Sequence, residues 1–194
     1  KEDDVLGFFH RWVEVFAPNF TSISVVCLRL GKIELPSNVS VFSLGKEENE
    51  LGIRNYELWR RILYIYRFLQ YIVKERKKYD AVFVHMNEEY VLLGALFWKL
   101  FGKKVFLWRN HKKGGFLTRV AVFFSHKVFF TSDDSYTAQF KRVAKMPVGI
   151  DTDFFKPSDE SKRVEGEILF FGRIAPVKRA ELFVDSLSSL KDKI

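Results

Sequence analysis

Strands alternating with helices predict an α/β fold for this chain: a parallel sheet with helices on both faces. Three observations carry that expectation. Asp80–Met86, Lys104–Trp108 and Lys127–Thr131 are short, continuous apolar runs, the pattern of strands buried on both sides of a parallel sheet. Glu88–Phe101 and Phe116–Phe124 lie between them, each long enough for a helix. Gly102 and the pair Gly114-Gly115 break the chain where those segments meet.

The other elements follow from the same rules. Val5, Leu6, Phe9, Trp12, Val13 and Phe16 recur with a helical period, so Val5–Ala17 reads as a helix, with Asp3 and Asp4 as caps and Pro18 as its stop. Ser22–Leu30 is β-branched and apolar, and Asn38–Leu44 alternates; both read as strands, the second more peripheral. Gly45–Gly52 is a polar loop, and Ile53–Lys78 has the pattern of a long helix. Asp133–Phe140 reads as a short helix and Arg142–Val148 as a short strand. Ile168–Phe171 opens a new strand and Lys178–Leu190 a new helix. This divides the chain into a first domain over 1–157, a linker over 158–166 and the start of a second domain over 167–194.

Composition narrows the chemistry. A net charge of +8 favours anionic partners such as phosphates, nucleotide diphosphates or acidic membranes. The single Cys27 excludes an intrachain disulfide and a thiolate metal site, and within its apolar run it reads as a core thiol. No apolar run reaches the roughly 20 residues that span a bilayer. No signal peptide opens the chain, so a cytoplasmic protein is expected and the sequons at Asn19 and Asn38 read as chance matches. Lys1 does not read as a native start, so residues upstream are expected.

The most informative stretch runs from Glu167 through Phe170, Phe171, Gly172 and Arg173 to Lys178, ahead of a helix. An arginine at a strand tip and a lysine near a helix start form a site for a diphosphate, reinforced by the helix dipole. Upstream stands a segment with Gly149, Asp151, Asp153, Phe155 and Pro157. In this order the two segments resemble the hinge and donor-diphosphate region of retaining family-4 glycosyltransferases.

That resemblance implies the GT-B architecture: two Rossmann-like domains, the first binding acceptor and the second binding a nucleotide-diphosphate sugar. It implies that Arg173 and Lys178 hold the donor diphosphate and neutralise the charge that grows on the leaving group. His85, at the end of a buried strand, would approach the transferred sugar as the catalytic candidate. His111, beyond the next strand, and Gly7, a remnant of the family's first glycine-rich loop, would touch acceptor or donor. Gly149 and Asp151 would form the hinge. His10 and His126 read as structural. No metal is required, because Arg173 and Lys178 already supply positive charge beside the Asp151–Asp153 pair. The chain departs from the family at Val148, where asparagine is frequent, and at Arg179, where glycine is common. The family's paired glutamates would lie beyond Ile194, so the chain is expected to be inactive alone.

The helix over 53–78 interleaves cations with aromatics. Leu58, Ile62, Ile65, Leu69 and Ile72 recur at helical spacing as a core stripe with a solvated basic face. The same helix also suits an anionic membrane surface, with Trp59, Arg60, Arg61 and Arg67 as the membrane-facing candidates. No nucleic-acid motif is present. The expected activity is transfer of a hexose from a nucleotide-diphosphate sugar to a glycan, glycolipid or lipid-linked acceptor, in the cytoplasm or at the inner membrane face. The alternatives are a non-catalytic α/β module binding an anionic membrane or phosphorylated ligand, and a GT-B epimerase. Donor base, sugar, linkage and oligomeric state are not readable from these residues.

Overall fold

A computed structural model describes residues 7–47, 57–147, 149–153, 155–157, 166–172 and 174–190. The chain divides into two compact units, Lys1–Val148 and Gly149–Ile194.

The first unit is α/β with parallel sheets. Its elements are α1 (Gly7–Phe16), β1 (Ile23–Cys27), β2 (Val39–Ser43), α2 (Glu57–Glu75), β3 (Ala81–His85), α3 (Glu88–Leu100), β4 (Lys104–Trp108), α4 (Phe116–Phe124), β5 (Lys127–Phe130) and β6 (Val143–Lys145). β1 and β2 form one parallel pair, and β3-β4-β5-β6 form a second, four-stranded parallel sheet. In the larger sheet every strand pairs with its neighbour in sequence, with His85 opposite Trp108 and Phe106 opposite Lys127.

Alternation along the strands gives this sheet two unlike faces. Val84, Val105, Leu107 and Val128 point into a buried cluster with Phe68 and Ile72 of α2, Val91 and Trp98 of α3, and Ala121 and Val122 of α4. The other face carries Phe83, His85, Phe106, Trp108 and Phe129, where Trp12 of α1 meets Trp108 and Phe16 meets Phe83. Helices therefore lie on both faces, although on the second face, where α1 packs, Phe83 stays 39% exposed and β3 is not buried on both sides as its pattern predicts.

Local chemistry sets the boundaries. α3 ends because Gly102, at φ +67°, takes a left-handed turn. There its N–H donates to the Lys99 carbonyl, and that of Lys103 donates to Trp98, which satisfies two of the helix's last carbonyls. Gly94 lies where a Cβ would come within 2.7 Å of the Trp98 ring, so the indole needs a glycine one turn earlier. α2 ends at Glu75, before the predicted Lys78; residues 53–56 of that prediction lie outside the described residues, as do the predicted caps Asp3 and Asp4 and the predicted helical residues Val5 and Leu6. The predicted helix over Asp133–Phe140 is only a single 3-10 turn at Tyr136–Gln139, in which Ser135 and Thr137 turn their hydroxyls onto the Arg109 carbonyl.

In the second unit the sequence expectation fails in one place. Ile168–Phe171 is irregular, not a strand, and Phe171 is 92% exposed. Apolar β-propensity needs a paired neighbour to become a strand, and among the described residues of this unit none pairs with it. Phe170 instead packs its ring on Phe183 of α5 (Ala180–Leu190). α5 begins two residues later than predicted, because Pro176–Lys178 forms a 3-10 turn and Arg179 adopts a left-handed backbone at φ 50°. Glycine would carry that conformation without the Cβ penalty of about 1 kcal/mol. Arg179→Gly is therefore expected to stabilise the start of α5, slowing hydrogen exchange of its amides by about fivefold. Unchanged or faster exchange would contradict this.

Candidate functional site

The carboxyl ends of β3 and β4 hold the polar chemistry of the first unit, the edge at which parallel α/β sheets bind ligands. After His85 the chain turns sharply: Met86 adopts a left-handed backbone at φ 64°, and its N–H donates to the Trp108 carbonyl. Asn87 then leads into α3, with Glu88 and Glu89 in its first turn, where carboxylates suit the positive end of the helix dipole.

β4 runs into Arg109, whose N–H donates to Phe129. Arg109 is 8% exposed, and its guanidinium forms an ion pair through Nε with Oε2 of Glu88, while Nη2 donates to the Lys113 carbonyl at 2.9 Å. Oε1 of Glu88 accepts from the Thr118 hydroxyl at 2.8 Å, and that hydroxyl accepts from the Gly115 N–H at 3.1 Å, closing the start of α4. Among the described residues, Nη1 of Arg109 is a buried donor without a hydrogen-bond partner, and Oε2 of Glu88 meets only Nε of Arg109.

These groups border a hollow of about 580 Å³, lined by Met86, Glu88, Glu89, Arg109, His111 and Lys113 on its polar side. Gly114, Gly115, Phe116 and Leu117 complete it. The loop is held from below: Asn110 accepts from the N–H groups of Thr131 and Ser132, and Tyr136 donates its N–H to the His111 carbonyl. Its charges nearly cancel, with Glu88 against Arg109 and Glu89 alongside Lys113. Fixed donors and acceptors with little net charge suit a hydroxyl-rich ligand better than a bare anion. A second hollow of about 400 Å³ is mostly apolar, with Leu28, Tyr64, Ile65, Phe68 and Leu93 beside Arg61; it shares Asn87 and Glu89 with the first.

The sequence-predicted residues that are described fall at several places in the fold. His111 is exposed in the larger hollow, its Nδ1 lying 3.0 Å from both the N–H and the carbonyl oxygen of Lys113. His85 lies elsewhere on the sheet, facing α1. Its ring is 5.2 Å from that of Phe9, 5.4 Å from Trp12 and 6.1 Å from Phe8, and Gly7 begins the helix that delivers them. Burial among these rings pushes the His85 imidazole below its ordinary value.

That shift has a stability consequence. The imidazole is depressed in the folded chain, so the unfolded chain binds its proton first as pH falls below about 6.5. Stability is full above that value and declines as pH drops toward the folded group's own titration. His85→Phe, which keeps a ring among rings, is expected to flatten this decline between about pH 7.5 and pH 5 in urea unfolding. An unchanged slope would place the proton uptake elsewhere.

Arg67 donates to the Leu44 carbonyl at 3.0 Å, so it braces α2 against the end of β2 rather than facing outward. Arg61 borders the apolar hollow, and Arg60 is half-buried. Trp59 is exposed on the outer side of α2. In the second unit, Asp151 accepts the Asp153 N–H through Oδ1 and the Phe155 N–H through its carbonyl, folding a tight turn just after Gly149. Lys178 is exposed at the 3-10 turn before α5, and Arg173 lies outside the described residues. Among the described residues no group of three His, Cys, Asp or Glu could hold a metal, and no helix is long and apolar enough to cross a membrane.

Sequence reading missed Glu88, Glu89, Arg109 and Lys113. A signal was present: a buried strand ending in Trp108-Arg109-Asn110 beside a helix opening on Asn87-Glu88-Glu89. Neither a scan against protein-family models nor a search of curated proteins finds a match to this chain. The family resemblance therefore rests on the residues quoted for it.

Proposed function

We propose that this chain belongs to a retaining, metal-independent glycosyltransferase that moves a hexose from a nucleotide-diphosphate sugar to a glycan, glycolipid or lipid-linked acceptor. The observation that carries the reading is the hollow at the carboxyl edge of β3 and β4, near-neutral and lined by Glu88, Glu89, Arg109, His111 and Lys113. Such a set can read acceptor hydroxyls: the exposed Glu89 carboxylate accepts from them, Lys113 donates to them, and a His111 ring nitrogen can do either. Phe116 at the rim offers an apolar surface for the face of a sugar ring. The apolar hollow beside it supports an acceptor with a lipid portion. In the second unit, Arg173 and Lys178 would bind the donor diphosphate and stabilise the leaving group electrostatically. His85, neutral among aromatic rings, would act as a hydrogen-bonding and shaping group and not as a cation.

Incubation of the protein purified from its source cells with radiolabelled nucleotide-diphosphate hexoses and an extract of glycans and lipids tests this. Label should pass to the glycan or lipid fraction, be lost with Lys178→Ala, and need more acceptor with Glu89→Gln. Label that stays on the nucleotide for every donor, or transfers equally well in both variants, would sink the reading.

A further inference from the structure

Residues 28–38, between β1 and β2, have no regular structure, yet groups from other parts of the unit fasten them. Near the start of this loop the Leu30 N–H donates to Oε2 of Glu47 at 3.1 Å. At its end Nδ2 of Asn38 donates to the carbonyls of Ala17 at 2.8 Å and Phe20 at 3.0 Å. Between these anchors the Glu34 N–H donates to Nε2 of His10 on α1 at 3.1 Å.

The middle bond differs from the others in what it requires. A ring nitrogen accepts a hydrogen bond only while it carries no proton. Nδ1 of His10 lies 3.0 Å from Oε1 of Glu14, so the neutral ring keeps its proton there and its lone pair at Nε2. A doubly protonated ring would turn a second N–H against that of Glu34, and attraction would become repulsion. Neither outer anchor is lost in the same pH range. The Asn38 amide does not titrate. The Glu47 carboxyl is held below its ordinary value, first of all by a hydrogen bond from Ser43, so it remains an acceptor where a histidine changes charge.

The surroundings can house the cation. The His10 side chain is 11% exposed, and Glu14, which also meets Nη1 of Arg11 at 3.0 Å, stays beside it as a counter-charge. On the loop, Lys32 and Glu34 face each other at 3.9 Å. On β3, His85 meets α1 through the rings of Phe9 and Trp12.

We propose that His10 is a pH-operated latch on this loop. Neutral, it holds residues 31–37 against α1; protonated, it frees them while Leu30 and Asn38 stay fastened. Leu28, just before the fastened start, lines the apolar hollow, so the freed segment adjoins a space of ligand size. The latch does not depend on sugar transfer.

Nuclear magnetic resonance of the isotope-labelled whole chain between about pH 8 and pH 5 tests the proposal. The Glu34 amide signal is expected to follow the same titration curve as the His10 ring protons. Its exchange, relative to the intrinsic rate, should rise about fivefold toward acid, the worth of one hydrogen bond. The Leu30 amide and the Asn38 side-chain amide should hold their positions. His10→Phe should leave the Glu34 amide exchanging fast at both ends of the range, and His10→Gln should make its relative exchange independent of pH. His85→Phe should leave the response intact. A Glu34 amide that does not follow the His10 titration, or that stays protected in His10→Phe, overturns the proposal, as does a response that disappears with His85→Phe.

Discussion

Arg109→Met is expected to destabilise the first unit by about 3–5 kcal/mol, because it leaves the Glu88 carboxylate without its cation. In the ion pair the two side chains are only 10% and 15% exposed, so water cannot replace the lost partner. The damage should spread along named bonds. Arg109 Nη2 holds the Lys113 carbonyl, and Glu88 holds the Thr118 hydroxyl that closes the start of α4. Urea unfolding followed by tryptophan fluorescence measures the loss. A second substitution, Glu88→Leu, should restore much of it by removing the stranded charge. A loss below about 1 kcal/mol in the single variant would show that the pair behaves as a solvated surface contact.

Gly114→Ala should cost about 1–3 kcal/mol, the range for forcing atoms into a packed site. A Cβ there would stand 2.1 to 2.6 Å from carbons of the Tyr136 ring, so ring or loop must move. Tyr136 cannot shift freely: its N–H donates to the His111 carbonyl and its hydroxyl accepts from Arg119 Nε at 3.2 Å. Movement of the loop would carry His111 and Lys113 with it and reshape the hollow. A double-mutant cycle with Tyr136→Ala checks the cause. The glycine substitution should become nearly neutral once the ring is gone, and equal cost in both backgrounds would refute the steric account.

Legibility in the sequence followed local punctuation. β4 and α4 match their predicted bounds to the residue because Gly102, Gly114 and Gly115 mark where helix and strand must stop. β3 was legible because Ala81, Val82, Phe83 and Val84 form an unbroken apolar run. Ile168–Phe171 misled because strand formation is a property of the pair, and nothing in a single apolar run says whether a partner is present. The His85 position at a strand end was readable, while its enclosure by Phe8, Phe9 and Trp12 depended on where α1 packs. Glu88 and Arg109 were the hardest to see. They are 21 positions apart and meet only because β3 and β4 lie side by side in parallel register. Sequence spacing encodes neighbours along one element, whereas this pair bridges two successive strand ends.

The strand order bears on how quickly the first unit can assemble. Each strand from β3 to β6 adds beside the one made just before it, so no pairing waits for a distant part of the chain. The loops to be closed are single crossovers, with Glu88–Leu100 joining the first pair and Phe116–Phe124 the second. Closure entropy is then met in small steps rather than all at once. Parallel sheets ordinarily fold slowly because their contacts are remote in sequence, and this ordering holds the mean separation near its lower limit for such a sheet. The sheet can therefore grow in the direction of synthesis, each new strand finding its edge already formed as it leaves the ribosome.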